Sequence, residues 1–475
     1  MAEGYFPFFF KTQIIQDFLV IFTRFLQVRG MRGMLNSLFG HVWGTFASVQ
    51  EARKFVRLAW IFAFTIGVYW IINPTKDVVF VHTVGRDYLA YAKIFSIVFL
   101  VPLLFAYSKL VDLYPRHRVF YILCGMYALI SCIFGLCMVH PLMGLSNTDL
   151  NVYRSLGWLW YAFVESFGSI IVASFWSFAS DVSTPESAKK GFSIIAFGAQ
   201  VGGVLGPLMF YRAAQQWGAA PFAFIGAIGI ACIGLAVFYF MRVTPASELV
   251  GFHKAPEKTV HKRQVGFFEG ISLIFSHTYL LGIVGIVVLY ETVFVIIEFH
   301  LKTLASQVYT NQFQLNGFLF KYAIYANGIA LISLIFGAGA IGRRLGLQKT
   351  LLLLPVLVLC GIGILSYSFT LPVVLAVFVG IKGLNYALNQ PAKEQLYIPT
   401  TRESKYKAKA WIDVFGSRMA KSVGSSVHIL RPMLQSYFIM VSSLISCGLV
   451  LIWALLAVSV GKAHARAVEK EEEIC

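Results

Sequence analysis

Charged side chains are scarce in this sequence. Only 13% of its 475 residues are Asp, Glu, Lys or Arg, whereas a soluble domain has about 25%. Long polar stretches are equally rare, and apolar runs of about 20 residues, each long enough to cross roughly 30 Å of hydrocarbon, follow one another along the chain. The scarcity of charge excludes a soluble protein. It predicts an all-α, polytopic membrane protein that lies in a lipid bilayer.

Cysteine pairs with metal-ligand spacing are missing. The seven cysteines are odd in number, lie mostly in apolar runs and form no C-x-x-C motif, so we interpret them as packing thiols and predict no metal site. The sequence also lacks the phosphate loop G-x-x-x-x-G-K-[ST], H-E-x-x-H and G-x-S-x-G. These absences exclude ATP hydrolysis and the common hydrolases. We therefore predict that the protein is not an enzyme and needs no cofactor.

Negative charge is the rarer sign. The sequence has 39 Lys and Arg but only 22 Asp and Glu, which gives a net charge of +17. Most of the excess falls in alternate predicted loops, such as those holding Lys109 to Arg118 and Lys254 to Arg263. The positive-inside rule gives cytoplasmic loops this composition, so the charge indicates topology, with both termini cytoplasmic. We predict no nucleic-acid partner.

Apolar runs bounded by Gly, Pro and charge clusters predict about twelve transmembrane helices in two six-helix halves, the layout of a major-facilitator-like transporter. The predicted spans are 55–75, 88–110, 119–140, 156–178, 191–211, 220–241, 277–300, 318–340, 350–367, 370–389, 408–429 and 433–461. The predicted domains are a cytoplasmic amphipathic N-terminal segment (1–53), the first bundle (54–241), a basic cytoplasmic linker (242–268), the second bundle (269–461) and a cytoplasmic tail (462–475).

Ionisable residues inside spans are candidates for function, because each costs about 2.5 to 3.5 kcal/mol to insert. The candidates are Lys76, Asp77, Lys93, Glu165, Glu291, Glu298, Lys302, Lys393, Glu394, Arg418 and Lys421. Glu165 falls near mid-membrane. Three structural alternatives stay open: Lys76 snorkels from a helix end, Glu298 and Lys302 form an i,i+4 pair, and Lys393 lies in a solvated hairpin.

The segment 385–426 has the highest density of polar residues expected inside a span. Pro391 interrupts the helix near Asn389, Gln390 and Lys393, and Lys421 stands among small residues in AKSVGSS. Small residues permit close backbone approach and supply hydroxyl and amide donors. This pattern favours an anion-binding site.

Four stretches carry a family resemblance. They are TKDVVF (75–80), FVESFGSIIVASFWSFASDVSTPESAKKGF (163–192), Tyr290 with VIIEFHLKTL (295–304), and PAKEQLYIPTTRESKYKAKAWIDVFGSRMAKSVGS (391–425). Together they resemble the non-mitochondrial ATP/ADP translocases of plastids and intracellular bacteria, and the likeness covers most of the chain. The resemblance implies nucleotide transport that depends on four charged positions. By motif these fall on Lys76, Glu165, Glu298 and Lys421, with Lys393 competing for the last.

From these features we predict a monomeric transporter in a bacterial inner membrane that exchanges ATP and ADP by alternating access. The predicted substrate-binding residues are Lys76, Glu165, Glu298, Lys421, Lys393, Asn389 and Tyr290. Tyr69, Trp70 and Tyr161 are further candidates for stacking on the purine. Other nucleotides and phosphate stay open as substrates.

The sequence also departs from the family pattern. Ser180 and Asp181 replace an Asn-Gln or Asn-Glu pair, and Glu291 stands where a small residue is common. Extra carboxylates suit proton coupling, so we predict gating or proton-coupling roles for Asp181, Glu291 and Asp77. The alternatives are a proton-coupled nucleotide importer, a facilitator for another organic anion, and a membrane protein that does not transport.

Overall fold

The computed structural model describes residues 48–249, 267–336, 346–397, 399–400, 412 and 416–470. The predicted amphipathic segment before residue 48 and most of the predicted basic linker lie outside the described residues. The described part is almost entirely helical. The spans are α1 (Val49–Thr83), α2 (Leu89–Leu113), α3 (Arg116–Val139), α4 (Ser155–Asp181), α5 (Pro185–Trp217), α6 (Ala220–Val243), α7 (Thr278–Val308), α8 (Gln312–Phe336), α9 (Leu347–Tyr367), α10 (Leu371–Leu384), α11 (Ser417–Ser426) and α12 (Phe438–Lys470).

Ten helical stretches of the described residues are long and apolar enough to cross a membrane. The last of them, Ser417–Lys470, contains both α11 and α12, and α10 is a shorter apolar helix. The helices extend past several predicted spans. α12 continues to Lys470, nine residues beyond the predicted end of its span, and a short helix at Phe267–Ser276 precedes α7.

Two spans of the second half are interrupted. α10 passes into a π-helical turn at Asn385–Asn389 and then into an α-helix at Gln390–Leu396. α11 passes into 3₁₀-helix at Val427–Leu430, and Gln435, between α11 and α12, has a positive φ of 43°. π-Helical turns leave irregular backbone that is frequent at functional sites. The π-helical turn lies in the segment 385–426, which has the highest density of polar residues expected inside a span.

Within the first half, α1 and α5 pack closely along a stripe of glycines. A Cβ atom added to Gly202 would lie 1.8 Å from the carbonyl oxygen of Ala63, and one added to Gly206 would lie 2.4 Å from that of Gly67. Spacing of small residues by four lets helix backbones touch. This packing fixes α1, which carries Lys76 and Asp77, against its neighbour.

The two halves contact each other at the end of the bundle where α1 and α5 finish. Asn316 Nδ2 of α8 donates to the carbonyls of Ala214 (3.1 Å) and Gly218 (2.9 Å). In addition, Phe80 of α1 packs in one apolar cluster with Phe299 of α7. These contacts join the halves around the charged residues described next.

At the opposite end of the bundle, side-chain hydrogen bonds connect helices and loops within each half. Lys54 Nζ donates to the carbonyls of Val182 and Glu248, both at 3.0 Å, within the first half. Tyr279 Oη donates to the carbonyl of Leu396 at 2.7 Å within the second half.

Candidate functional site

A buried carboxylate on α4 pairs with two lysines of the first half. Lys76 Nζ of α1 and Lys93 Nζ of α2 each lie 2.8 Å from Glu165 Oε1. Lys76 also donates to Asn73 Oδ1 and lies 5.3 Å from the centre of the Tyr161 ring. The Lys76 side chain is only 4% exposed, so it does not snorkel to the surface. The structure places Lys76 and Glu165, two predicted site residues, in direct contact.

Local sequence explains why α1 carries a polar turn here. Pro74 lies inside α1 and has no N–H, so the carbonyl four residues earlier loses its helical donor. Thr75 Oγ1 donates to the Ile72 carbonyl at 2.6 Å. The apolar helix continues past this turn to Thr83, which keeps Lys76 and Asp77 inside the protein.

A second network joins the two halves. Lys302 Nζ of α7 lies 3.1 Å from Asp77 Oδ2 of α1 and 3.0 Å from Glu298 Oε1 of its own helix. Tyr322 Oη of α8 donates to Glu298 Oε1 at 3.2 Å. The predicted i,i+4 pair of Glu298 and Lys302 is present, but Lys302 is also bridged to the other half, which the sequence interpretation missed. Asp77 Oδ1 is buried and has no hydrogen-bond partner among the described residues.

A third pair links α7 to α11. Lys421 Nζ lies 3.7 Å from Glu291 Oε2. Gly424 explains why α11 comes so close, because a Cβ atom there would be 2.6 Å from the Thr292 carbonyl. Thr292 Oγ1 in turn donates to the Ala420 carbonyl at 3.3 Å. The small residues around Lys421 thus serve helix packing, and this packing brings Lys421 to Glu291.

Two further cations of the second half belong to the same region. Lys382 Nζ of α10 lies 4.9 Å from the centre of the Trp70 ring of α1. Arg418 of α11 is close enough to Glu165 and Tyr69 to interact with them electrostatically. The sequence interpretation did not select Lys382. Its only signal was a single lysine inside an otherwise apolar run.

The other predicted residues are distributed over both halves. Asn389 is buried and its Nδ2 donates to Asn385 Oδ1 at 2.9 Å, inside the π-helical turn. Lys393 is partly buried on the short helix that follows. Tyr290 packs in the second half, with its ring centre 5.8 Å from that of Trp453. Asp181 is exposed at the end of α4, about 24 Å along the helix from Glu165 at 1.5 Å per residue.

The arrangement is suited to an anion. The described region contains six cations and four carboxylates, which leaves two positive charges in excess. They are Lys76, Lys93, Lys302, Lys382, Arg418 and Lys421 against Asp77, Glu165, Glu291 and Glu298. Buried charges are tolerated when they are paired, and an anionic ligand can replace the carboxylate partners. The described residues include no group of three or more His, Cys, Asp or Glu side chains that could hold a metal ion.

Comparison with known proteins supplies the family context. The family described as TLC ATP/ADP transporter matches residues 34–464. The chain is 22% identical to "ADP,ATP carrier protein 1" of Chlamydia muridarum, over 90% of this chain and 91% of that protein. It is 24% identical to "ADP,ATP carrier protein 2, chloroplastic" of Arabidopsis thaliana, over 80% of this chain and 69% of that protein.

A solved structure also matches. A bacterial homologue of the iron transporter ferroportin in an inward-facing state superposes with a TM-score of 0.61 at 13% identity, over 87% of this chain and 99% of that chain. At this identity the likeness concerns the fold alone. It confirms the predicted all-α, major-facilitator-like architecture.

Proposed function

The chain belongs to the TLC ATP/ADP transporter family, and we propose that it exchanges ATP for ADP across a membrane by alternating access at the buried charged region. Membership makes it a nucleotide transporter and not an enzyme, in agreement with the prediction from missing catalytic motifs. It is a multi-pass membrane protein. We further propose that it lies in a bacterial inner membrane with both termini cytoplasmic.

The observation that supports this site most strongly is the set of lysines on α1, α2, α7 and α11 that are paired with carboxylates on α1, α4 and α7. A nucleotide phosphate accepts the same charge-assisted hydrogen bonds as a carboxylate. Phosphate oxygens therefore take the place of Glu165 on Lys76 and of Glu291 on Lys421. Holding the lysines in ion pairs before binding keeps them in position at low cost in conformational entropy.

The pair of Asp77 and Lys302 couples binding to movement. It is the ion pair between halves in the described charged region, where Lys302 lies 3.1 Å from Asp77. A phosphate that draws Lys302 away from Asp77 weakens this connection, so substrate changes the balance between conformations. With cytoplasmic termini, the end of the bundle where Asn316 joins the halves faces outward.

Labelled ATP uptake into proteoliposomes tests the proposal. We expect rapid uptake when the liposomes contain ADP and little uptake when they are empty, because an exchanger requires a counter-substrate. Failure to take up ATP under either condition would contradict nucleotide transport. Uptake that ignores internal ADP but stops when a protonophore is added would instead support proton-coupled import, for which Asp181, Glu291 and Asp77 are the candidate groups.

A further inference from the structure

Lys382 is the exception among the lysines of the charged region. Lys76, Lys93, Lys302 and Lys421 each have a carboxylate oxygen within 4 Å. Lys382 forms no such ion pair with any residue that the structure describes. Instead, its Nζ atom lies over the face of the Trp70 ring. The Glu298 carboxylate acts on Lys382 only from beyond ion-pair distance, so this partly buried cation is poorly compensated. We take this as a sign that its closer partner is an anion supplied from outside.

The contact crosses between the halves. Lys382 lies in the last turn of α10, and Trp70 lies on α1. Next to Trp70 is Gly203 of α5, where a Cβ atom would lie 3.4 Å from Trp70 Cδ1. One edge of the ring therefore lies against α5, while its face is covered by the Lys382 side chain.

A tryptophan face attracts a cation, but it is also a platform on which a base stacks. At an accessible site, a charge-assisted hydrogen bond to an anion stabilises a lysine more than a cation–π contact with a ring face does. A nucleotide brings both groups at once. Its phosphates attract Lys382, and its purine takes the ring face that Lys382 leaves.

The backbone near Lys382 is irregular, which suits a residue that changes partner. The π-helical turn Asn385–Asn389 begins three residues after Lys382. Tyr386 in that turn faces Gln200 of α5 across the boundary between the halves. Movement of this turn therefore alters both Lys382 and a contact between the halves.

We propose that Lys382 binds the phosphate end of the nucleotide, and that in the empty carrier it covers the Trp70 face on which the purine stacks. The inference rests on the proposed function and assigns two parts of one substrate to two residues. Nucleotide binding exchanges the contact between Lys382 and Trp70 for a lysine–phosphate pair and a purine–tryptophan stack.

Binding of ATP, ADP, AMP and adenosine to the purified protein tests this assignment. We expect Lys382→Gln to weaken ATP binding about 10- to 100-fold, the range for losing a hydrogen bond to a charged group. Adenosine binding should stay at the wild-type level or become tighter, because the ring face is no longer covered. Lys382→Arg should restore much of the affinity for ATP.

Trp70→Leu provides a second and independent variant. It should weaken adenosine and ATP by similar factors, because it removes only the stacking surface. A matched control is Lys321→Gln, since Lys321 Nζ lies 5.6 Å from the Tyr325 ring on the exposed side of α8. That variant should bind all four ligands like the wild type.

The outcomes separate this inference from the proposed function. If the wild-type protein binds no ATP, nucleotide transport itself is wrong. If the wild type binds ATP but Lys382→Gln loses ATP and adenosine equally, or binds ATP like Lys321→Gln, the role of Lys382 is wrong. If Lys382→Gln cannot be purified, Trp70→Leu still decides, because unchanged adenosine binding in that variant would overturn the stacking assignment.

Discussion

The two halves of the protein contribute differently to the charged region. In the first half, Lys76 and Lys93 are balanced by Glu165 and Asp77. The second half contributes four cations, Lys302, Lys382, Arg418 and Lys421, but only two carboxylates, Glu291 and Glu298. The excess positive charge therefore belongs to the second half. The ion pairs within the first half, at 2.8 Å, are shorter than those within the second half, at 3.0 and 3.7 Å. The second half, with more cations than carboxylates, is the half that attracts an anion.

The largest loss of stability is expected from removing the charge of Glu165, the one carboxylate that pairs with two lysines. Glu165→Gln leaves Lys76 and Lys93 close together without a counter-charge, and breaking a buried pair in this way costs about 3 to 5 kcal/mol. We expect a lower free energy of unfolding, measured by thermal unfolding in detergent, and loss of ATP exchange.

Glu469→Gln is the matched control for Glu165→Gln, because Glu469 is exposed near the end of α12. This variant should unfold like the wild type. If Glu165→Gln also unfolds like the wild type, the first half is not held together by its ion pairs, and the contrast between the halves fails.

A smaller loss of stability is expected from removing the Asp77–Lys302 ion pair, which joins the halves. Asp77→Asn removes the charge that holds Lys302 across the interface, while Glu298→Gln leaves that pair intact. We expect Asp77→Asn to speed hydrogen exchange of backbone amides around Asn316 about tenfold, as for a loss of roughly 1.4 kcal/mol. Exchange should stay close to wild type in Glu298→Gln. Equal exchange in both variants would show that Lys302 does not connect the halves.

The smallest effect on stability is expected at the exposed edge of the second half. Lys421 is 37% exposed and lies 3.7 Å from Glu291, so Lys421→Gln should cost only about 0 to 1 kcal/mol. The same variant should bind ATP more weakly, because it removes a cation from the half with the excess. Thermal unfolding and ATP titration of one preparation give both quantities. A large loss of stability with unchanged ATP affinity would reverse the assignment.

Hydropathy located most of the spans, because about 20 apolar residues in succession have few alternatives to crossing a membrane. Much of the predicted eleventh span, residues 408–411 and 413–415, lies outside the described residues. The ends of helices were harder to predict. α12 continues to Lys470 because polar residues beyond the bilayer extend a helix already formed, and hydropathy carries no signal for that. Pro391 pointed to an interruption near the end of α10. The π-helical turn packs against α8 and α9, and these contacts between distant segments have no signal in the local sequence.

Because a charged residue is costly to place inside a span, most residues of the charged region could be predicted from the sequence. Their partners could not. Lys93 falls near the start of its helix, and only the packing of α2 against α4 brings it to Glu165. Lys302 had a sufficient local partner in Glu298, so its contact with Asp77 had no signal in the sequence. Lys382 lacks any carboxylate nearby in the chain, and its relation to Trp70 requires α10 and α1 to meet.

A cryo-EM structure of the protein with bound ATP would show where the substrate lies relative to the charged region. We expect the triphosphate within hydrogen-bond distance of lysines of this region, among them Lys76 and Lys421, with the purine on the Trp70 ring and Lys382 moved off it. ATP bound with its phosphates away from all six cations would show that the charged region is not the nucleotide site.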